Sequence, residues 1–379
     1  MLHLPAPHFR PDASYAGGYD NASHAARRQI AQQLAEKNGL ELTRDWPMPA
    51  LGLDCYVMRV PGDHDPEAMA RQLSSDPRVE WAQVMHYFDG LGHNDPMFPA
   101  QPAAHAWQLD RLHLVTTGRQ VTVAVIDSGV DTEHPDLRGQ IAHSRNFIEN
   151  TTYPAEQHGT AVAGIIAAVA DNGIGIAGIA PQARLLALRA CRETADRATL
   201  CDSLSLAKAL DFAIQHRAEI INMSLSGPSD RLLGMYVDLA ASRGITVVAA
   251  FDERRDAGGF PASNPFVFAT AAERDAPAAP FHAPGRDVPA TAPGAQWKLV
   301  SGSSFAAAHL SGMVALVRQL RPAVPQQELW ARLRGAAATP VADAANSSRM
   351  DACAVISWAG GTCTCSCEPA QAGITHAAW

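Results

Sequence analysis

The sequence predicts an α/β protein in which a mostly parallel sheet is covered by helices on both faces, with a small α+β unit in front of it. Three observations carry this. From residue 121 onward, short strands that are apolar throughout alternate with helices, as parallel strands buried on both faces do. The first 90 residues instead run helix, strand, helix, strand in a span too short for that pattern. Residues 304–320 form a long run of small and apolar residues with the composition of a buried helix.

Taken in order, residues 25–40 read as an amphipathic helix stopped by Gly39, and residues 53–60 as a strand. Residues 66–73 read as a second helix and 78–88 as a second strand. Gly, Asn and Pro in 90–104 mark a linker. The β-branched run 121–126 is a strand ending in Asp-Ser-Gly, and 161–170 is a helix of small residues. Strands at 185–189, 220–224 and 245–250 then alternate with helices at 204–216 and 232–243. Beyond 336 no helical or strand period is legible, which predicts a partly ordered appendage. The expected organisation is an extension at 1–24, a small domain at 25–93, a large domain at 94–335 and a cysteine-containing tail at 336–379.

Of the 379 residues 47% are apolar and 18% charged, which is ordinary for a folded soluble protein. The net charge of −8 is spread out and no Lys/Arg cluster is present, so nucleic acid is not expected as a partner. No apolar run approaches the roughly 20 residues that span a bilayer, so no membrane partner is expected either. Cys191 and Cys201 lie ten residues apart in a loop-like segment that a disulfide could bridge. Together with Cys353, Cys363, Cys365 and Cys367 they leave an even number once the segment holding Cys55 is set aside, which leans towards an oxidising, secreted or periplasmic compartment, with the cytoplasm as the alternative. The tail cysteines could pair with one another or hold a soft metal ion.

Ser304 opens the 304–320 helix, where free N–H groups and the helix dipole favour a nucleophile beside an oxyanion site. Asp127 stands at the end of a buried strand, and His158 stands before a helix of small residues. Acyl transfer by a serine needs a base for the hydroxyl proton and a carboxylate to orient that base. The three residues supply those parts.

Their contexts resemble one family. Val-Ala-Val-Ile-Asp127-Ser-Gly-Val-Asp, His158-Gly-Thr-Ala-Val-Ala-Gly and Ser-Gly-Ser-Ser304-Phe-Ala-Ala-Ala-His are similar to the three signatures of subtilisin-like serine peptidases. Ile-Asn222-Met-Ser-Leu-Ser-Gly-Pro is similar to the segment that pairs with substrate backbone there. The resemblance implies a three-layer α/β/α sandwich and an endopeptidase acting on peptides or proteins through an acyl-enzyme, with no cofactor for the chemistry. It implies that Ser224, Leu225, Ser226, Gly227, Gly258 and Gly259 line the substrate cleft, with the serine at 226 narrowing a position that is usually glycine. It implies a structural calcium ion held by Asp136 and Asn172 with the carbonyls of Ala170, Ile174 and Ile176. His309 matches a recurrent histidine and is expected to be structural. The small domain at 25–93 is expected to be the protein's own propeptide, cut near residues 87–94 after entering the cleft at 85–88, and the mature protein is expected to be a monomer.

One departure stands out. Where relatives carry an oxyanion-hole asparagine, this chain has Asp252 followed by Glu253. Either Asp252 is protonated or turned away and works with the Ser304 N–H in a functional enzyme, or the protein is a weakened or self-processed relative that binds peptides. Loss of the asparagine donor in subtilisin itself costs on the order of 100- to 1000-fold in kcat, a value measured on that enzyme.

Overall fold

The computed structural model describes residues 2–3, 16–48, 51–62, 65–85, 92–196, 198–272, 278–337 and 350–361. The chain forms two compact units that meet in sequence between Gly90 and Leu91.

The first unit contains β1 (Leu2–His3), α1 (Ala16–Lys37), β2 (Glu41–Met48), β3 (Leu53–Arg59) and α2 (Pro66–Ser74). Its sheet is antiparallel in the order β1-β3-β2. Helix α1 buries Ala31 and Leu34 against Leu42, Tyr56 and Met58. Strand β2 was hidden in the sequence because it is largely exposed and carries Glu41, Arg44, Asp45 and Pro47, which break the apolar alternation. The described part of 78–88 holds no extended strand. There the Asp76 carboxylate accepts the N–H of Arg78 and its carbonyl that of Val79, which turns the chain. Residues 86–91, with most of the expected processing segment, lie outside the described residues.

In the second unit, α3 (Pro102–Ala106) and α4 (Leu109–His113) lead into β4 (Thr122–Asp127), β5 (Ile141–Asn146), α5 (Gln157–Ala167) and β6 (Arg184–Arg189). A hairpin of β7 (Cys191–Glu193) and β8 (Thr199–Cys201) follows, then α6 (Ser203–Gln215), β9 (Ile220–Met223), α7 (Arg231–Ser242) and β10 (Thr246–Ala250). Strands β11 (Phe268–Ala272) and β12 (Phe281–Ala283) precede a second hairpin, β13 (Val288–Ala292) with β14 (Gln296–Val300). Helices α8 (Ser303–Leu320), α9 (Gln326–Ala337) and α10 (Ala352–Gly360) complete it.

Seven strands make one parallel sheet in the order β12-β11-β10-β9-β4-β6-β5. Val123, Val125, Leu185 and Ala187 face one apolar layer built with α5 and α8. Their neighbours Ala124, Ile126, Leu186 and Leu188 face the other, built with α6 and α7. This is the expected three-layer sandwich, and the two buried faces explain why its strands read as unbroken apolar runs. The chain lays down β4, steps to the edge strand β5, returns through β6 and crosses to β9, so the strand order reverses at β4.

The far end departs from expectation. Helix α10 is capped by Asp351, which accepts the N–H of Ala354. It buries Ala352, Val355, Ile356 and Ala359 in the same core as α8. Nine residues, three of them alanine, are too few to display a period. Cys191 and Cys201 face each other across β7 and β8 and are disulfide-bonded. Cys353 is disulfide-bonded as well, whereas Cys55 is free. Cys363, Cys365 and Cys367 lie outside the described residues.

Candidate active site

Asp127 is the last residue of β4, at the reversal of strand order, where the carboxyl ends of a parallel sheet open into a crevice. It is buried, and its Oδ1 accepts the N–H of Ser128 at 2.7 Å and pairs with His158 Nδ1 at 2.7 Å. His158 lies in the first turn of α5, and residue 159 lets that turn come close. A Cβ on Gly159 would stand 2.3 Å from the Ser128 carbonyl oxygen, so only glycine fits. With Nδ1–H committed to Asp127, Nε2 is the nitrogen left to act on a substrate. Burial works against the imidazolium, but the charge and hydrogen bond of Asp127, with Glu193 adding to them, raise the His158 pKa above its ordinary value.

A buried ion pair frames this dyad. Arg189 stands beside Asp127 in the β4–β6 register and meets Glu156 through Nε at 2.8 Å and Nη2 at 3.1 Å. Glu156 also accepts the N–H of Gly129 at 2.6 Å and of Glu193 at 2.9 Å. Glu193 in turn accepts the N–H of His158 at 2.5 Å. Burial alone would raise the Glu156 pKa; Arg189 and the two amides hold it below the usual carboxylate value. One bidentate pair therefore ties together the turn after Asp127, the start of α5 and strand β7.

Ser304 is in the first turn of α8, whose residues from Phe305 to Arg318 are buried against the sheet. Its Oγ donates to the Ser224 carbonyl at 3.1 Å, while the Ser224 hydroxyl donates to the Ser304 carbonyl at 2.8 Å. Asn222 donates to that Ser224 hydroxyl at 3.0 Å and accepts from Ser311 at 2.9 Å. This clasp fixes the end of β9 to the start of α8. Among the described residues no hydrogen bond links Ser304 to His158, although both line one cleft of about 840 Å³. Ser224, Leu225, Ser226, Gly227 and Asp252 line the same cleft. Gly258 and Gly259 adjoin it through Ser226, whose hydroxyl donates to the Gly258 carbonyl at 3.1 Å. His309 is buried, bonds the Phe305 carbonyl at 2.8 Å and packs on Trp107, with its pKa pushed down to about 4 by burial.

Asp252 reaches the cleft from the loop after β10 as a carboxylate paired with two arginines. Its Oδ1 accepts the N–H and Nε–H of Arg254, both at 3.1 Å, and its Oδ2 lies 3.5 Å from Arg255 Nε. Partial burial opposes ionisation, but the two arginines outweigh it and lower the Asp252 pKa. The protonated form considered from sequence is therefore not the one this loop holds.

The model of the Subtilase family matches residues 118–351. This chain belongs to the subtilase family. Subtilisin E of Bacillus subtilis (strain 168) is 32% identical over 293 residues, covering 72% of this subtilase and 73% of the relative. Thermophilic serine proteinase of Bacillus sp. (strain AK1) is 34% identical over 273 residues, 66% of each chain. Intracellular serine protease of Paenibacillus polymyxa is 34% identical over 246 residues, 58% of this chain and 74% of the relative. This subtilase is a serine-type endopeptidase, acting on peptides or proteins without a cofactor for the chemistry.

The residues expected to hold calcium do come together, but as a hydrogen-bonded carboxylate. Asp136 is fully buried, and its two oxygens accept Nδ2–H of Asn172 at 2.9 Å, N–H of Ile176 at 3.1 Å and Nε1–H of Trp297 at 2.7 Å. The Asn172 side-chain oxygen accepts the N–H of Ile174 at 3.0 Å. The amides of Ile174 and Ile176 are thus taken up by Asn172 and Asp136. A Cβ on Gly175 would lie 2.0 Å from Trp297 Nε1, so the glycine makes room for the indole. Both Asp136 oxygens, which the expected ion would need, are turned to N–H donors. Sequence reading missed Trp297 along with Arg189, Glu156 and Glu193, all single residues without a spacing signal.

Proposed function

We propose that this subtilase hydrolyses peptide bonds through Ser304 as nucleophile, His158 as general base and then acid, and Asp127 as the group that fixes the histidine tautomer. The observation that carries the reading is the buried Asp127–His158 hydrogen bond opening into the cleft that Ser304 lines. The reaction requires Ser304 Oγ to leave the Ser224 carbonyl and hydrogen-bond to His158 Nε2. The developing oxyanion is met by the Ser304 N–H at the start of α8, and the Asp252 charge that would oppose it is taken up by Arg254 and Arg255. Extended substrate lies along residues 224–227.

The first unit acts as a propeptide, removed by self-cleavage near residues 87–94, and the mature protein is a monomer. Asn94 and Asp95 support a catalytic domain starting there, since both bond the 171–173 loop within the second unit. The Cys191–Cys201 disulfide and disulfide-bonded Cys353 support an oxidising, secreted or periplasmic location; no helix of the described residues is long and apolar enough to cross a membrane. Incubation with a fluorophosphonate probe followed by intact-mass measurement tests the reading. Labelling that disappears in Ser304→Ala, on a chain shortened near residues 87–94, is expected. Absence of Ser304-dependent labelling at every pH would overturn the enzymatic assignment to this site.

A further inference from the structure

We infer that this peptidase prefers an acidic residue at P1, the residue whose carbonyl Ser304 attacks, and that Arg255 recognises it; the inference rests on the Ser304 reading above. The pocket beside Ser304 lies between two backbone walls, residues 224–227 and 258–260. They are zipped together, Gly227 N–H to the Phe260 carbonyl at 2.8 Å and Phe260 N–H to the Gly227 carbonyl at 2.9 Å. Ser226 crosses between them to the Gly258 carbonyl. Ser226 Oγ and Arg255 Cδ stand 2.2 and 2.6 Å from where a Cβ on Gly259 would be, so a hydroxyl and an arginine stem fill the slot. A large apolar P1 side chain would have to break the Ser226 bond and would desolvate a cation while giving it nothing in return.

One carboxylate, Asp252, is shared by the two guanidinium groups of Arg254 and Arg255, so neither arginine has a carboxylate to itself. Arg254 spends its Nε on Asp252 and is 87% exposed; Arg255 is 46% exposed and touches Asp252 only through Nε at 3.5 Å. Among the described residues the two terminal nitrogens of Arg255 have no partner. Glu253 and Asp256 line a separate cavity that Arg255 also borders, and neither pairs with it. The remaining acids of the cleft are occupied as helix caps, Asp202 by the Ser205 N–H and Asp230 by the Leu233 N–H and the Ser203 hydroxyl. A P1 carboxylate supplies Arg255 with the bidentate partner it lacks.

The full-length protein, once self-processed, is tested on peptides that differ only at P1. The kcat/KM for Glu or Asp is expected to exceed that for Phe or Leu by about tenfold or more, the worth of one hydrogen bond between charged groups. The advantage shrinks with added salt. In Arg255→Gln the Glu-to-Ala ratio collapses, and in Arg255→Lys part of it returns. An enzyme that favours Phe or Leu, or whose Glu-to-Ala ratio is the same in Arg255→Gln, overturns the inference while leaving the peptidase reading intact. Failure to cleave any peptide beyond the Ser304→Ala background overturns both.

Discussion

His158 is held between two carboxylates that act on it differently. Asp127 pairs with Nδ1, whereas Glu193 takes the backbone N–H and acts on the ring only through its charge. Burial lowers the His158 pKa, and the two acids together raise it by more. The imidazole serves as a base only when neutral, so the acid limb of kcat/KM against pH is expected above the ordinary histidine value of about 6.5. In Glu193→Gln the amide oxygen still accepts the N–H but the charge is gone. The limb then moves to lower pH, with kcat on the plateau little changed; a limb that stays in place would assign Glu193 a purely structural role. The same raised pKa is a stability statement. The contribution of this proton is fully present below the unfolded histidine pKa and is lost as pH rises through the folded one. Asp127, His158 and Ser304 were legible because each sits in an ordered motif. Glu156, Glu193 and Arg189 were not, because their partnership exists only once β6 lies in register beside β4.

At the scale of elements, legibility followed unbroken runs of Val, Ile and Leu rather than burial alone, since the buried Ala-rich strands β11 and β13 were silent. Strands β4, β6, β9 and β10 are covered on both faces, so their sequences are nearly all apolar and their bounds could be read to within a residue or so. The edge strand β5 reads Ile-Ala-His-Ser-Arg-Asn with its middle exposed, and carries no such signal. Hairpin β13–β14 was equally silent, yet it delivers Trp297 to Asp136. His134 steadies the arrangement, its Nδ1 accepting the Asp136 N–H while its Nε2 donates to the Gln296 carbonyl. The hairpin thus supplies an indole N–H to the carboxylate that the family resemblance assigned to an ion. Trp297→Phe leaves a buried carboxylate short of one donor, a cost of about 1–3 kcal/mol. Thermal unfolding is expected at the same midpoint in EDTA as in calcium for the native sequence, and several degrees lower in Trp297→Phe in both. A midpoint that drops on chelation in the native protein and is insensitive to Trp297→Phe would return the site to a cation.

On the scale of the whole second unit, the sheet has an apolar layer on each face, and the α8 layer is closed by a helix far along the chain. Ile356 and Val355 of α10 join Leu316, Leu329 and Leu333 in that layer, and Arg321 stacks on Trp358 with its guanidinium carbon 4.7 Å from the ring centre. Large-to-small replacement of a fully buried isoleucine costs about 2–5 kcal/mol, through lost transfer energy and the cavity left behind. An appendage would not respond in this way. Ile356→Ala is therefore expected to lower the unfolding free energy by that amount, whereas Leu299→Ala, at a position 65% exposed, stays within roughly 0.5 kcal/mol. The measurement belongs in a Ser304→Ala background, because unfolded chains of an active peptidase are digested by the folded ones and the transition becomes irreversible. If Ile356→Ala proved as silent as Leu299→Ala, α10 would lie outside the cooperative core, and the unit would end before residue 350.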